Sequence, residues 1–332
     1  MRSAWLALAG MLTLLPGLPA RAEAPLAELT LQAALPVDDM PSGNLSGLAR
    51  CADGAWWAVS DREDDRLYRL QPGDGRWLAR GEAFVAPPPP PSGLPWGLST
   101  GNRLLAPLRG GALDFEGLAC DAGGNRYLLS ESQVGVLQLP SFGAARWLEL
   151  PPQLLRQARA RGLLLHFNAL LEGLAVQPDG SRLWLAAERE GRGLLALQQG
   201  RERWRCAEAG CVLLAESGRA LRPLDPPGSA AQPLDFTGLS WHAGKLYSLE
   251  RLQHRVCRRD ADSGAAERCW SFAAAALAPG LRYDTPYGVA EALWLDDSAV
   301  WIGLDNGGAP NAAGERRPLI LQFAAPAGGW NG

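Results

Sequence analysis

The sequence predicts an all-β fold built from one short hairpin unit that is repeated along the chain. The clearest unit runs from Leu171-Glu172-Gly173-Leu174-Ala175 through an Asp179-Gly180 turn to Ala187-Glu188-Arg189-Glu190. Four more segments share its small-residue strand start, its turn and its charged strand end. The 39 Gly and 26 Pro among 332 residues fit many short strands joined by turns. Five copies of one unit indicate a repeat protein.

The spacing of the units predicts a β-propeller. Its markers are Gly47, Gly117, Gly173 and Gly238, with Ala292 in the fifth place. The steps of 70, 56, 65 and 54 residues each have room for a four-stranded blade. We therefore predict five blades, or six if the longest step contains a degenerate repeat. A strand-like run from Leu29 to Leu35 is expected to complete the last blade and close the ring.

One short inserted helix is predicted near residues 152–164. Pro152 suits a first helical turn, and Leu154, Leu155 and Ala158 recur at helical spacing opposite three arginines. We interpret it as a packing element between blades, with a lid over the acidic face as the alternative. Residues 94–112 show no clear period.

The N-terminus resembles a targeting segment. Arg2 precedes an apolar run from Ala4 to Leu15, and Ala20-Arg21-Ala22 fits a cleavage site. The run is short for a bilayer span. We predict a signal peptide at residues 1–22, a single domain at residues 23–332 and a periplasmic or secreted location.

The charge balance bears on the choice of partners. The formal net charge is −3, and removal of Arg2 and Arg21 would make it −5. An acidic chain of this kind disfavours nucleic acid and anionic membranes as partners. A protein partner is left open.

Six cysteines in an exported chain predict disulfides. Cys206 and Cys211 flank a tight loop, and Cys257 and Cys269 flank a polar turn. Cys51 and Cys120, which follow Gly-Leu-Ala in the first two units, remain as the third pair. A zinc site is the alternative, but no CxxC pair is present.

The acidic residues of the units are the candidate site. In each unit two positions lie nearly equidistant from the turn, both acidic except where Ser46 and Thr237 take the first position, so they are expected to face each other across the hairpin at one end of the blade. The candidate metal ligands are Asp61, Glu116, Glu131, Glu172, Glu188, Glu250, Glu291 and Asp305.

So many carboxylates near one axis cannot all ionise without compensation. They can bind a hard cation such as Ca²⁺, pair with arginines or retain protons. Arg62, Arg189 and Arg251 each follow an acid directly, and strand alternation predicts that they pair between blades. A structural role, in which the glutamates accept backbone N–H groups and lock neighbouring blades, is the alternative. His166 beside Asn168 is the histidine of most interest.

The ordered units resemble a known family. Ser-Gly-Leu at Ser46 with Ser-Asp-Arg-Glu at Ser60, Asp-Phe-Glu-Gly-Leu-Ala at Asp114, and Glu-Gly-Leu-Ala at Glu172 with Ala-Glu-Arg-Glu at Ala187 look like the phytase-like family, "esterase-like activity of phytase". Periplasmic propellers of the SdiA-regulated group are also similar. The resemblance extends over about residues 40 to 325.

The resemblance implies a secreted propeller that hydrolyses small phosphoesters or carboxyesters with calcium. Ser46 and Thr237 depart from the pattern by replacing a carboxylate. No G-x-S-x-G, H-E-x-x-H or P-loop motif suggests another chemistry. The alternative function is a non-catalytic periplasmic propeller that binds a ligand or a protein and uses its acidic face as a structural plug.

Overall fold

The protein is described by a computed structural model that covers residues 26–40, 44–109, 111–201, 203–224, 227–286 and 288–332. The predicted signal peptide at residues 1–22 lies outside these residues. Within them, no helix is both long enough and apolar enough to cross a bilayer.

The N-terminal half of the fold contains two four-stranded meanders. It begins with β1 (Ala27–Glu28) and β2 (Leu31–Asp38). The first meander is β3 (Gly47–Arg50), β4 (Trp56–Val59), β5 (Arg66–Gly73) and β6 (Arg76–Ala83), followed by helix α1 (Trp96–Arg109). The second is β7 (Phe115–Cys120), β8 (Arg126–Ser130), β9 (Gly135–Leu139) and β10 (Arg146–Trp147), followed by α2 (Gln153–Ala160).

Three further meanders follow. The third is β11 (Leu171–Val176), β12 (Arg182–Ala187), β13 (Gly191–Gln199), β14 (Trp204–Arg205) and β15 (Val212–Ser217). The hairpin β16 (Ala220–Leu221) and β17 (Gln232–Pro233) leads to the fourth, β18 (Gly238–His242), β19 (Lys245–Glu250), β20 (Arg255–Arg259) and β21 (Ala266–Ser271). After α3 (Ala273–Ala276), the fifth is β22 (Ala290–Leu295), β23 (Ala299–Leu304) and β24 (Leu319–Ala324).

The meanders are arranged around an axis as the blades of a β-propeller, as predicted. Their first strands contact one another in a closed ring, β3–β7–β11–β18–β22 and back to β3. Strand β2 pairs antiparallel with β24, so the N-terminal strand completes the last meander as expected. It also pairs parallel with β6 over two residues and joins the fifth and first meanders into one eight-stranded sheet. Because these two meanders share one sheet, the number of separate blades remains a prediction.

The repeated glycines let the inner strands approach closely. A Cβ on Gly173 would lie 2.9 Å from the Leu239 side chain of the next meander, and one on Gly238 would lie 2.7 Å from the Glu291 carbonyl oxygen. In the fifth unit Ala292 replaces glycine, and the residue opposite it is Gly303. The partner strand, which has a glycine at this position, thus leaves room for the methyl group of Ala292.

Apolar side chains fill the spaces between meanders. At the closure between the fifth and first, Trp56 packs against Trp77, Trp294 and Trp301 with ring centroids 4.7–5.5 Å apart. Aromatic contacts of this size add stabilisation beyond the burial of area. The closure of the ring therefore rests on side-chain packing as well as on strand pairing.

The helices agree with the sequence only in part. Helix α2 lies within the predicted segment, with Leu154 and Ala158 buried. Helix α1 was not predicted, because Gly97, Gly101 and Pro107 weaken its helical pattern. It is held by tertiary contacts instead: Leu98 packs against the core, and Asn102 donates to the Ser132 carbonyl at 3.1 Å.

The three disulfides are the predicted pairs, Cys51–Cys120, Cys206–Cys211 and Cys257–Cys269. The first joins the ends of β3 and β7, the inner strands of neighbouring meanders. The third is a cross-strand pair between β20 and β21.

Candidate functional site

A polar cavity of about 410 Å³ lies where the inner hairpins end around the axis. Six of the eight predicted ligands line it: Asp61, Glu116, Glu131, Glu172, Glu291 and Asp305. They come from four of the meanders and converge because every meander presents the same end of its first hairpin. The sequence prediction that these acids share one face therefore agrees with the geometry.

The prediction that the two acids of a hairpin face each other directly is wrong. The register shifts between Leu171 and Gly173, so Glu172 is the extra residue of a β-bulge. The same shift occurs at Glu116 and at Glu291. A bulge leaves its extra residue unpaired and redirects the side chain. It turns these three glutamates into the cavity instead of placing them opposite the acids that follow the second strands.

Glu188 and Glu250 do not line the cavity. Both are fully buried. Glu188 contacts Arg189 and accepts from Arg251 at 3.0 Å. Glu250 accepts from Arg192, Arg255 and Arg259 at 2.6–2.9 Å. Burial raises the pKa of Glu250, but the three guanidinium groups outweigh it and bring the pKa to about 2.

Asp114, which sequence reasoning missed, completes a compact oxygen cluster. Carboxylate oxygens of Asp61, Asp114 and Glu116 all lie within 4.8 Å of one another. Asp114 has φ 57°, a conformation in which Asp is among the more tolerant residues. The backbone before it is fixed by Asp64, whose carboxylate accepts from the amides of Ala112 at 2.7 Å and Leu113 at 2.8 Å.

Asp235 was also missed. It is buried at the cavity wall, where it accepts from Arg251 Nε and from the Leu252 amide, each at 3.1 Å. A signal was present in the sequence, because Leu-Asp-Phe precedes the marker glycine both at Asp114 and at Asp235.

Arginines neutralise part of this charge. Arg251 is buried and contacts Glu188, Asp235 and Glu291, which join the third, fourth and fifth meanders as predicted. For Arg62 and Arg189 the prediction was wrong, since they pair with the preceding Asp61, at 3.1 Å, and Glu188. Both follow the end of a strand, where side chains no longer alternate between faces.

Several carboxylates of the cavity have pKa values above their usual range. Burial raises the pKa of Asp61 to about 7, with a further rise from Asp305 and a fall from Arg62. Burial also raises the pKa of Glu172 to about 7, against the opposing effect of Arg251 and Arg189. The pKa values of Glu116 and Glu291 lie well above the usual range, first through burial and then through acidic neighbours.

Two buried oxygens in this cavity have no hydrogen-bond partner, Oδ1 of Asp61 and Oε2 of Glu172. Each residue is only 9% exposed. Unsatisfied carboxylate oxygens at such burial are costly unless a cation or a proton completes them. The donor set is entirely oxygen, which suits a hard cation such as Ca²⁺. The residues of the cavity therefore fit the metal that the family resemblance implies.

Other contacts at this end of the molecule lock the meanders together. Glu131 accepts from the Leu170 amide at 2.8 Å, and Thr237 donates to the Ala290 carbonyl at 2.9 Å. His166 is exposed and does not line the cavity, whereas Asn168 does.

The family described as "Phytase-like: Esterase-like activity of phytase" matches residues 40–252. The chain belongs to the phytase-like family. The matched part contains the first three meanders, the β18–β19 hairpin of the fourth and most of the residues that line the cavity. No curated protein matches this phytase-like chain.

Solved structures resemble the phytase-like chain in fold. Glutaminyl cyclase from Myxococcus xanthus aligns with 91% of this chain and 100% of its own, at 11% identity and a TM-score of 0.50. A gluconolactonase from Xanthomonas campestris aligns with 90% of this chain and 98% of its own, at 10% identity and a TM-score of 0.37. Virginiamycin B lyase from Staphylococcus aureus aligns with 90% of this chain and 75% of its own, at 13% identity and a TM-score of 0.36. Identities this low concern the fold alone.

Proposed function

We propose that this phytase-like protein is exported, binds calcium in the axial cavity and hydrolyses small ester or phosphoester substrates there. The observation that carries the proposal is the three-carboxylate cluster of Asp61, Asp114 and Glu116, in which the buried Oδ1 of Asp61 has no hydrogen-bond partner. The three disulfides favour export, since such bonds persist in oxidising compartments.

A bound calcium ion would supply positive charge for a phosphate or for a developing oxyanion, and would lower the pKa of bound water. The chain's own residues supply the rest. Arg62 and Arg189 line the cavity with partly exposed side chains, and guanidinium groups bind phosphate or carboxylate oxygens well. Their placement favours an anionic substrate or transition state.

Glu172 is the candidate general base. Its pKa near 7 and its unpartnered Oε2 are the properties of a group that takes a proton from water at neutral pH. It lies on the bulge of β11, a fully buried strand, and its position is therefore fixed by the fold.

A second candidate function is a non-catalytic propeller whose acidic centre is a structural plug. The observation in its favour is Arg251, which already compensates Glu188, Asp235 and Glu291 without any metal. In that case the cavity would bind a ligand or partner but turn over no ester.

The first test is the melting temperature of the purified protein with calcium and with a chelator. A metal present at a hundred times its Kd adds about 2.7 kcal/mol to the free energy of unfolding, so a clear upward shift is expected. An Asp61→Asn/Glu116→Gln variant should lose the shift, and Glu267→Gln, an exposed acid outside the cavity, should keep it. Absence of a shift in the parent protein would remove calcium from the proposal.

The second test is turnover of aryl phosphates and aryl esters in the presence of calcium. Removal of a general base costs about 10²–10⁴ in rate, so Glu172→Gln should lose most activity while retaining the fold. Calcium binding without turnover of any substrate would support the plug instead.

A further inference from the structure

A second charged region lies outside the axial cavity, at the outer edge of the third meander. It is an open groove of about 1040 Å³. We call it the arginine groove and define it by Arg156 of α2, by Arg201, Arg203, Trp204 and Arg205 of the β13–β14 hairpin, and by Gln199.

The described residues do not compensate the charge of the arginine groove. Arg156, Arg201, Arg203 and Arg205 are exposed, and their guanidinium groups make no ion pair or hydrogen bond within the described part of the chain. Among the described residues, no carboxylate lines the groove; Glu202, between Arg201 and Arg203 in the sequence, lies outside them. The whole chain carries 35 acidic and 32 basic residues, so this groove is a local segregation of positive charge.

The walls of the groove are fixed. The amide of Gly200 donates to the Arg203 carbonyl at 2.9 Å and closes the turn of the hairpin. Immediately after Arg205, the Cys206–Cys211 disulfide closes a short loop. The amide of Cys211 donates to Gln157 of α2 at 2.7 Å, which ties that loop to the opposite wall. The backbone segments that carry the arginines of two elements are thus held around one space, where their exposed guanidinium groups can contact one ligand.

The groove lies at the opposite end of the third meander from the axial cavity. Gln198 pairs with Arg182, the first residue of β12, whereas Glu188 follows its last residue. The strand between them is about 17 Å long at 3.4 Å per residue. The two regions are therefore separate, and a ligand in the groove does not reach the cavity carboxylates.

We propose that the arginine groove binds a ligand with clustered phosphate or sulfate groups. Guanidinium groups pair with such oxyanions through two parallel hydrogen bonds, and several of them together select a multiply charged ligand over chloride. The Gln199 side chain adds an uncharged donor at the rim. The net negative charge of the chain does not oppose this, because the positive charge is local.

The test uses the full protein freed of metal ions by a chelating resin, with tripolyphosphate as probe in isothermal titration. Binding is expected, and it should weaken as salt rises. The variant Arg201→Gln/Arg203→Gln should bind about tenfold more weakly or worse, since two charge-assisted contacts are lost. The matched control Arg80→Gln/Arg219→Gln removes two exposed arginines that do not line the groove, one in β6 and one in the connection between β15 and β16, and should bind as the parent does.

A second arm titrates vesicles of phosphatidylglycerol and identifies the source of the phosphate. Binding to tripolyphosphate alone indicates a soluble polyanion, and additional, arginine-dependent binding to vesicles indicates lipid headgroups. The proposal fails if neither probe binds, or if both double variants weaken binding equally. The Asp61→Asn/Glu116→Gln variant of the axial cavity should bind tripolyphosphate normally, so this result is independent of the proposed function.

Discussion

The buried ion cluster around Glu250 allows a quantitative prediction about stability. Its carboxylate is fully buried and lies 2.9 Å from Arg192, 2.7 Å from Arg255 and 2.6 Å from Arg259. Glu250→Gln keeps the shape but leaves the three arginines without their shared counter-charge. Breaking a buried ion pair in this way costs about 3–5 kcal/mol.

The pKa of Glu250 gives a second value for the same loss. Its fall from 4.5 to about 2 corresponds to about 3 kcal/mol at 1.36 kcal/mol per pKa unit. Since the pKa in the folded state is lowered, this stabilisation is fully present above the unfolded value near 4.5 and is lost as pH falls towards 2. Parent and variant should therefore differ by about 3 kcal/mol at pH 7, by roughly half of that near pH 3, and converge only towards pH 2.

The assay is equilibrium unfolding in urea with chelator present, followed by tryptophan fluorescence at pH 7 and at pH 3. The control is Glu267→Gln, which removes an exposed carboxylate paired with Lys245 and Arg258. Exposed pairs contribute at most about 1 kcal/mol, so this variant should stay near the parent. A loss under about 1 kcal/mol in Glu250→Gln, or an equal loss at both pH values, would refute the reasoning.

Three further predictions concern the axis. Gly173→Ala should lower the free energy of unfolding by about 1–3 kcal/mol, because its methyl would lie 2.9 Å from the Leu239 side chain; urea titration measures it. Arg251→Met should cost about 3–5 kcal/mol in chelator by leaving buried carboxylates without a counter-charge, and calcium should restore part of the loss in thermal melts. Without metal, the free energy of unfolding should fall as pH rises from about 4 to about 7. The reason is that burial raises the pKa of Asp61 and Glu172 to about 7, so the folded state binds protons more tightly than the unfolded state in this range. Calcium should remove that fall in thermal melts taken across the same pH range.

Each of these has a clear opposing result. An unchanged urea midpoint in Gly173→Ala would mean that the inner strands can separate without loss. A calcium-independent defect in Arg251→Met would favour the structural plug. Stability that rises with pH between 4 and 7 in chelator would contradict the assignment of raised pKa values to the cavity.

The repeated units could be predicted from the sequence because they depend on patterns within short segments. Turn residues, strand periods and the marker glycines recur within short segments, and each has one structural meaning. The same locality made Cys206–Cys211 and Cys257–Cys269 predictable. The convergence of the acids followed from repetition itself, since equivalent positions of a closed array meet at its axis.

The finer arrangement of the site was decided by contacts between distant residues. A bulge at Glu172 depends on the ladder that it interrupts, and hairpin arithmetic cannot detect one extra residue. Helix α1 forms against local propensity because Leu98 packs against the core and Asn102 bonds to Ser132 of the second meander.

The sequence by itself determined a β-propeller with disulfides and an acidic centre, because hydrophobic period, turns and repetition are encoded residue by residue. Only the tertiary structure decided which acids share a cavity, which are neutralised by arginine and where the arginine groove lies. Charges act through space, and their partners here come from other meanders, as Arg251 does for Glu188 and Glu291. The long sequence separation of these partners is the physical reason that the chemistry of the centre could be predicted only in outline, whereas the fold depends on patterns within short segments.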